Sequence, residues 1–146
     1  MSESKRALFH ISLKILLRDG EKVLLLKAQE GDIDLPGGRI DIGEENISLP
    51  SVIVREVNEE LGKNLQFRLG DQLFTCTVFG HNESYWIFTI VYDAEYISGD
   101  IILSDEHASY EWVDPRSYEL KRENFFPQDE EKYQAFKRCF SLLANG

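Results

Sequence analysis

Arg55-Glu56-Val57-Asn58-Glu59-Glu60-Leu61-Gly62 places one guanidinium and three carboxylates in a short stretch that ends on a glycine. On a helix, residues three and four apart share a face, so Glu56 projects beside Glu59 and Glu60. Each such like-charge pair costs about 0.2–0.5 kcal/mol on an isolated helix. A divalent cation would offset that repulsion. Clustered carboxylates suit the hard, oxygen-preferring ions Mg2+, Mn2+ and Ca2+, whereas zinc would normally bring Cys or His ligands. A Glu-rich helix is ordinarily just a solvated face, but three features argue for a site here. Val52, Ile53, Val57 and Leu61 recur at helical spacing and need a core to pack on. Ser48 with Pro50 reads as a helix start and Gly62 as its stop. Pro36-Gly37-Gly38 just upstream reads as a turn that can bring bare backbone close to a ligand.

The run from Gly38 to Gly62 resembles the signature of the Nudix hydrolases, G-x5-E-x7-REUxEExGU, with U a bulky aliphatic residue. Gly38 stands at the first glycine and Glu44 at the first glutamate, and Arg55, Glu56, Val57, Glu59, Glu60 and Gly62 follow in register. Ten residues, 45–54, separate Glu44 from Arg55 where the family has seven. The extra three are expected to lengthen the loop around Glu45-Asn46-Ile47 and to weaken the placement of Glu44. Lys63 replaces the final aliphatic residue, which predicts a local packing change.

The resemblance implies a single domain over residues 1–146, an α/β/α sandwich with a mixed β-sheet (α+β within the broader α/β class). It also implies hydrolysis of a nucleoside diphosphate linked to another group, NDP-X. Glu56, Glu59, Glu60 and the main-chain carbonyl of Gly38 would hold Mg2+ or Mn2+. Gly37, Glu44 and Gly62 would shape the motif, and Arg55 would orient a neighbouring glutamate through a salt bridge. Such ions polarise phosphoryl oxygens and neutralise a leaving group, while the protein contributes mostly positioning. For the catalytic base, Glu59 or Glu60 competes with Glu106 in Ser104-Asp105-Glu106-His107, and His107 is a third candidate by its intrinsic pKa. Arg39, beside the glycine turn, and Lys27 are the candidate substrate-binding cations. Two alternatives stand beside this reading: a catalytically silent nucleotide-sensing module on the same fold, and an RNA 5′-end pyrophosphohydrolase.

The remainder of the chain bounds these readings. Its 146 residues suit one domain with a real core, and 42% hydrophobic with 29% charged residues is ordinary for a globular protein. A net charge of −10 without a Lys/Arg cluster disfavours a grip on duplex nucleic acid, so a small nucleotide is the expected partner. Nothing approaches the roughly 20 apolar residues of a membrane span, and the N-terminus lacks a secretory pattern. Cys76 and Cys139 read as reduced, buried thiols. A cytoplasmic location follows as an expectation, and a homodimer remains open.

Several elements must position the site. Phe9 to Leu17 and Lys22 to Lys27 read as strands joined at Asp19-Gly20. Short extended pieces, Asp34 to Pro36 and Arg39 to Ile42, flank the glycine turn, and a helix covers Leu49 to Leu61. Strands follow at Gln72 to Phe79 and Tyr85 to Tyr96, separated by Gly80-His81-Asn82-Glu83, then at Tyr110 to Val113. A last helix spans Pro127 to Leu143, with Tyr133, Phe136, Phe140 and Leu143 as its core face. Phe9, Phe79, Tyr85 and Trp86 could stack on a base, but as strand aromatics they read as core.

Overall fold

The computed structural model describes residues 5–80 and 84–146; residues 81–83, most of the expected connection after Gly80, lie outside the described residues. Strand β1 (Phe9–Asp19) is the axis of the sheet. It turns at Gly20, whose φ of 62° suits the hairpin, into β2 (Lys22–Lys27). Val23, Leu24, Leu25 and Leu26 form an unbroken apolar run, and all four are buried, as a strand covered on both faces requires. β3 (Ile33–Asp34) pairs with β2, and β4 (Gly37–Arg39) pairs with β1. After helix α1 (Leu49–Leu61) come β5 (Gln66–Gly80), β6 (Tyr85–Ser98) and β7 (Ser109–Val113). β6 runs parallel to β1 in continuous register from Phe9↔Trp86 to Arg18↔Glu95. The principal order is β3-β2-β1-β6-β5, with β7 paired to β2, a mixed seven-stranded sheet. Helix α2 (Glu130–Asn145) closes the opposite face from α1.

Alternation along β1 separates the two sides of the sheet. Leu13, Ile15 and Leu17 pack with Val52, Ile53, Val57 and Leu61 of α1. On the other face, Leu16 joins Phe136, Cys139 and Phe140 of α2. Ser12 and Lys14 share that second face yet precede Leu16, so it is polar at one end and apolar at the other. The expected apolar stripe of α2 is realised as core, with Phe136 and Phe140 buried and Tyr133 and Leu143 packed against them. Both cysteines are buried and free.

Four expectations need correction. Gly37 and Gly38 are not a turn: they form β4, opposite Lys14 and Leu13, and fill the part of the β1 edge that β2 leaves open. β5 starts at Gln66 instead of Gln72 because register shifts absorb Gly70-Asp71 inside the strand. α2 starts at Glu130 instead of Pro127; Asp129 stands at its N-cap without a side-chain cap bond, its carboxylate accepting from the Phe79 N–H at 2.9 Å. Phe9 and Trp86 are not core: they lie opposite one another beyond the margin of the α1-side cluster and are 39% and 41% exposed.

Candidate active site

The sequence of α1 dictates its own ends. Ser48 accepts from the Ser51 N–H at 3.3 Å, Pro50 occupies the first turn, and the Gly62 N–H donates to the Asn58 carbonyl at 3.0 Å with φ 93°. One face of the helix is buried through Val52, Ile53, Val57 and Leu61, and Glu60 is buried with them. Packing therefore sends the three glutamates of this helix to different surroundings.

Arg55 gathers most of the negative charge. It bonds Glu44 through two nitrogens at 2.7 and 2.5 Å, Glu56 at 2.8 Å and Glu59 at 3.1 and 3.2 Å, and lies 3.6 Å from Asp41. Its fork thus offsets much of the repulsion for which a cation alone was expected. The extra loop residues form turns, with Glu44 N–H to Asp41 O and Ile47 N–H to Glu44 O both at 3.0 Å. Glu44 is consequently well held despite the insertion. Its bonds to Arg55 and the Asp41 N–H keep the carboxyl below its ordinary pKa. Glu56 moves the other way, because burial outweighs Arg55.

Glu60 stands apart from that cluster. It is 5% exposed, and burial pushes its pKa up to about 7 against the opposing field of Lys14. The segment after β6 reaches it by zipping onto the end of α1, through Ile102 N–H to Leu61 O at 2.9 Å and Ser104 N–H to Glu60 O at 3.0 Å. Those bonds deliver Glu106 and His107. His107 Nδ1 lies 3.3 Å from Glu60 Oε1, and its Nε2 lies 3.7 Å from Asp34 Oδ2. For His107, burial disfavours the charged ring, but Asp34 and Glu60 outweigh it and raise the pKa.

These residues line a cavity of about 300 Å³ between the sheet and α2, a size typical of small-molecule sites. Lys14 bonds Asp34 at 3.3 Å, and Lys132 of α2 donates to the Ile33 carbonyl at 2.9 Å. Burial disfavours the Asp34 carboxylate, but Lys14 and Lys132 together hold its pKa below the ordinary value. Burial likewise disfavours the Lys14 ammonium, and Asp34 and Glu60 more than offset it.

Of the sequence-level candidates, Gly37, Gly38, Arg39, Glu60, Glu106 and His107 line the cavity. Glu44, Arg55, Glu56 and Glu59 form the adjoining cluster, and Gly62 ends the helix. Lys27 is placed elsewhere, paired with Glu111 at 3.0 Å along the β2–β7 register. Lys14, Asp34 and Lys132 were not anticipated. Lys14, interrupting the apolar run of β1, was the legible signal; Lys132 looked like one more charge at the start of a solvated helix.

The donors suit a hard cation. Glu60 Oε1 and His107 Nδ1 are buried without a hydrogen bond. Beside them, a Cβ on Gly38 would fall 2.0 Å from Glu56 Oε2, so only glycine lets this backbone meet that carboxylate. Two carboxylate oxygens and a ring nitrogen converge at Glu60, Glu106 and His107, and three carboxylate oxygens at Asp41, Glu44 and Glu56.

The profile of the NUDIX domain matches residues 8–136. The chain belongs to the NUDIX family. It is 28% identical to the nucleoside triphosphatase NudI of Salmonella arizonae over 97 residues, covering 62% of this chain and 67% of that protein. The crystal structure of a MutT protein from Methanosarcina mazei is 28% identical, with a TM-score of 0.68 over 92% of this chain and 97% of that one. An ADP-ribose pyrophosphatase from Streptococcus suis shares the fold at 16% identity and a TM-score of 0.61, over 91% and 90% of the two chains. Membership of the NUDIX family carries the enzyme class with it, a hydrolase of phosphoric anhydrides.

Proposed function

We propose that this NUDIX chain is a Mg2+- or Mn2+-dependent pyrophosphohydrolase that cleaves a small NDP-X nucleotide. The observation that carries the reading is Glu60. A carboxylate this buried, with one oxygen lacking any hydrogen bond and Glu106 and His107 facing it, needs a positive partner. Glu56, Glu59, Glu60 and the Gly38 carbonyl would hold the cation, which supplies charge neutralisation at the phosphoryl oxygens.

The chain's own residues do the rest. Arg55 fixes the orientation of Glu56 and Glu59 and ties the Glu44 loop to them. Arg39 and Lys14 line the cavity as cationic contacts for the phosphates. As proton acceptor we assign Glu106: Glu56, Glu59 and Glu60 serve as cation ligands in this reading, while Glu106 is exposed at the cavity beside Glu60. Lys27, held by Glu111, has no part in this scheme. A cytoplasmic setting fits the reading.

The test is a substrate panel with Mg2+ and with Mn2+, comprising nucleoside triphosphates, sugar nucleotides, ADP-ribose and dinucleoside polyphosphates. Metal-dependent release of a nucleoside monophosphate is expected for at least one class. Silence across the panel, with nucleotide binding intact, would replace the enzyme with a sensor.

A further inference from the structure

The cavity has an order along its length. His107 spans from Glu60 Oε1 at 3.3 Å to Asp34 Oδ2 at 3.7 Å, Lys14 meets the same Asp34 oxygen at 3.3 Å, and Lys132 lies 3.9 Å from its other oxygen, Oδ1. Reading inward from the carboxylate cluster, one meets Glu60 with Glu106, then Lys14 with His107, then Asp34, and finally Lys132. A phosphate chain placed at the carboxylates therefore leaves the far end of a nucleotide against Lys132.

Lys132 is only 7% exposed, and its ammonium sits 5.8 Å from the ring centres of both Phe125 and Phe136. An ammonium has three N–H donors. One goes to the Ile33 carbonyl at 2.9 Å. Among the described residues the nearest carboxylate oxygen, Asp34 Oδ1, is 3.9 Å away, beyond hydrogen-bond reach, and already accepts from the Leu35 N–H at 2.8 Å. No further hydrogen bond to Lys132 exists among the described residues. Burying an ammonium with donors unspent is costly, and those donors border a cavity whose walls, Cys76, Val78, Ile87 and Val91, are apolar strand faces that suit a flat ring.

We propose that Lys132 is a specificity-determining residue that donates to a carbonyl on the substrate's base, so that the cavity favours oxo-bearing bases (uracil, thymine, guanine) over adenine. An ammonium pairs well with carbonyl edges such as guanine O6/N7 or thymine O4, whereas the corresponding edge of adenine presents an amino donor. Asp34 is a poor partner for adenine's amino group, because the Leu35 N–H and Lys132 crowd its Oδ1 while Lys14 and His107 crowd its Oδ2. The placement of the phosphates rests on the hydrolase reading; the selectivity is a property of binding and is testable without turnover.

Calorimetric titration of the protein in EDTA with UMP, GMP and AMP reads it directly. Wild type is expected to bind UMP or GMP at least about tenfold more tightly than AMP, the discrimination of one good charged contact. Lys132→Met should weaken the preferred ligand by about tenfold or more and leave AMP within about twofold, while Lys132→Arg retains the preference. AMP binding as tightly as both others, or Lys132→Met weakening all three alike, would overturn the proposal. Should Lys132→Met fail to fold, the wild-type ranking and Lys132→Arg still decide it. Selective binding with no hydrolysis anywhere in the Mg2+ and Mn2+ substrate panel supports this inference and removes the enzyme reading; hydrolysis with no base preference does the reverse.

Discussion

At the scale of single residues, α1 shows how one helix makes chemically different carboxylates. Arg55 binds Glu44, Glu56 and Glu59 in one fork and offsets part of their charge, and packing turns Glu60 into the interior. Glu60→Gln should therefore lower metal-dependent turnover by at least about a hundredfold, since a held cation is worth several kcal/mol at the transition state. It should also abolish the rise in melting temperature that Mn2+ gives the wild type. Unchanged turnover together with an unchanged Mn2+ response would remove the site. Buried thiols give a second outcome at this scale. Burial pushes Cys76 up to about 12 and Cys139 up to about 11, so neither is a thiolate at pH 8. Labelling by a thiol reagent should proceed only as fast as the protein opens, and rapid stoichiometric labelling of the folded chain would contradict that.

Among the elements, the two glycines of β4 have separate jobs. Gly37 has φ 138°, and a Cβ there would lie 2.1 Å from the Leu13 carbonyl oxygen. Backbone meets backbone, so Gly37→Ala should cost about 3 kcal/mol or more in chemical denaturation. Gly38 lacks that positive φ, and its added Cβ would meet the far end of the Glu56 side chain instead. Gly38→Ala should keep the fold within about 1 kcal/mol while displacing a carboxylate, with cation affinity down by about tenfold. Equal effects of the two substitutions on stability would refute this division. α2 is likewise anchored by more than its apolar stripe. Asp129 and Glu131 accept from the Phe79 and Thr77 N–H groups of the edge strand β5, which seals donors that would otherwise invite another strand. That clamp also seats Lys132 over the cavity.

For the molecule as a whole, Asp34 is the junction. It sits on β3 and meets Lys14 of β1, His107 of the segment before β7 and, more distantly, Lys132 of α2. Its folded pKa lies below the ordinary 3.8, so its stabilising contribution is present above that value and fades as pH falls below it. Asp34→Asn leaves two lysines without their counter-charge. It should cost about 3 kcal/mol at pH 7, the low end for breaking a buried pair because Asp34 keeps some exposure. The difference between variant and wild type should shrink below about pH 4. A constant difference across pH 3–7 would show that the carboxylate charge is immaterial. The overall charge of −10 makes its own prediction, that no retention on duplex DNA is seen in a mobility-shift assay at physiological salt.

Local chemistry determined much in advance. The caps and apolar stripe of α1, the Asp19-Gly20 hairpin, the buried run of β2 and the signature register all depend on neighbours within a few residues, and such patterns survive in a linear string. What lay beyond it depended on distant segments meeting. Gly37-Gly38 reads as a turn until β1 offers an unpaired edge, and Phe9 and Trp86 read as core until the sheet outruns α1. Glu106 and His107 were legible as candidates, but only the bonds to the end of α1 bring them to Glu60. Lys132, ninety-eight positions from Asp34 in the chain, acquires a meaning only when α2 folds across the sheet. Charge compensation between buried groups is a property of three-dimensional proximity, which residue order alone does not encode.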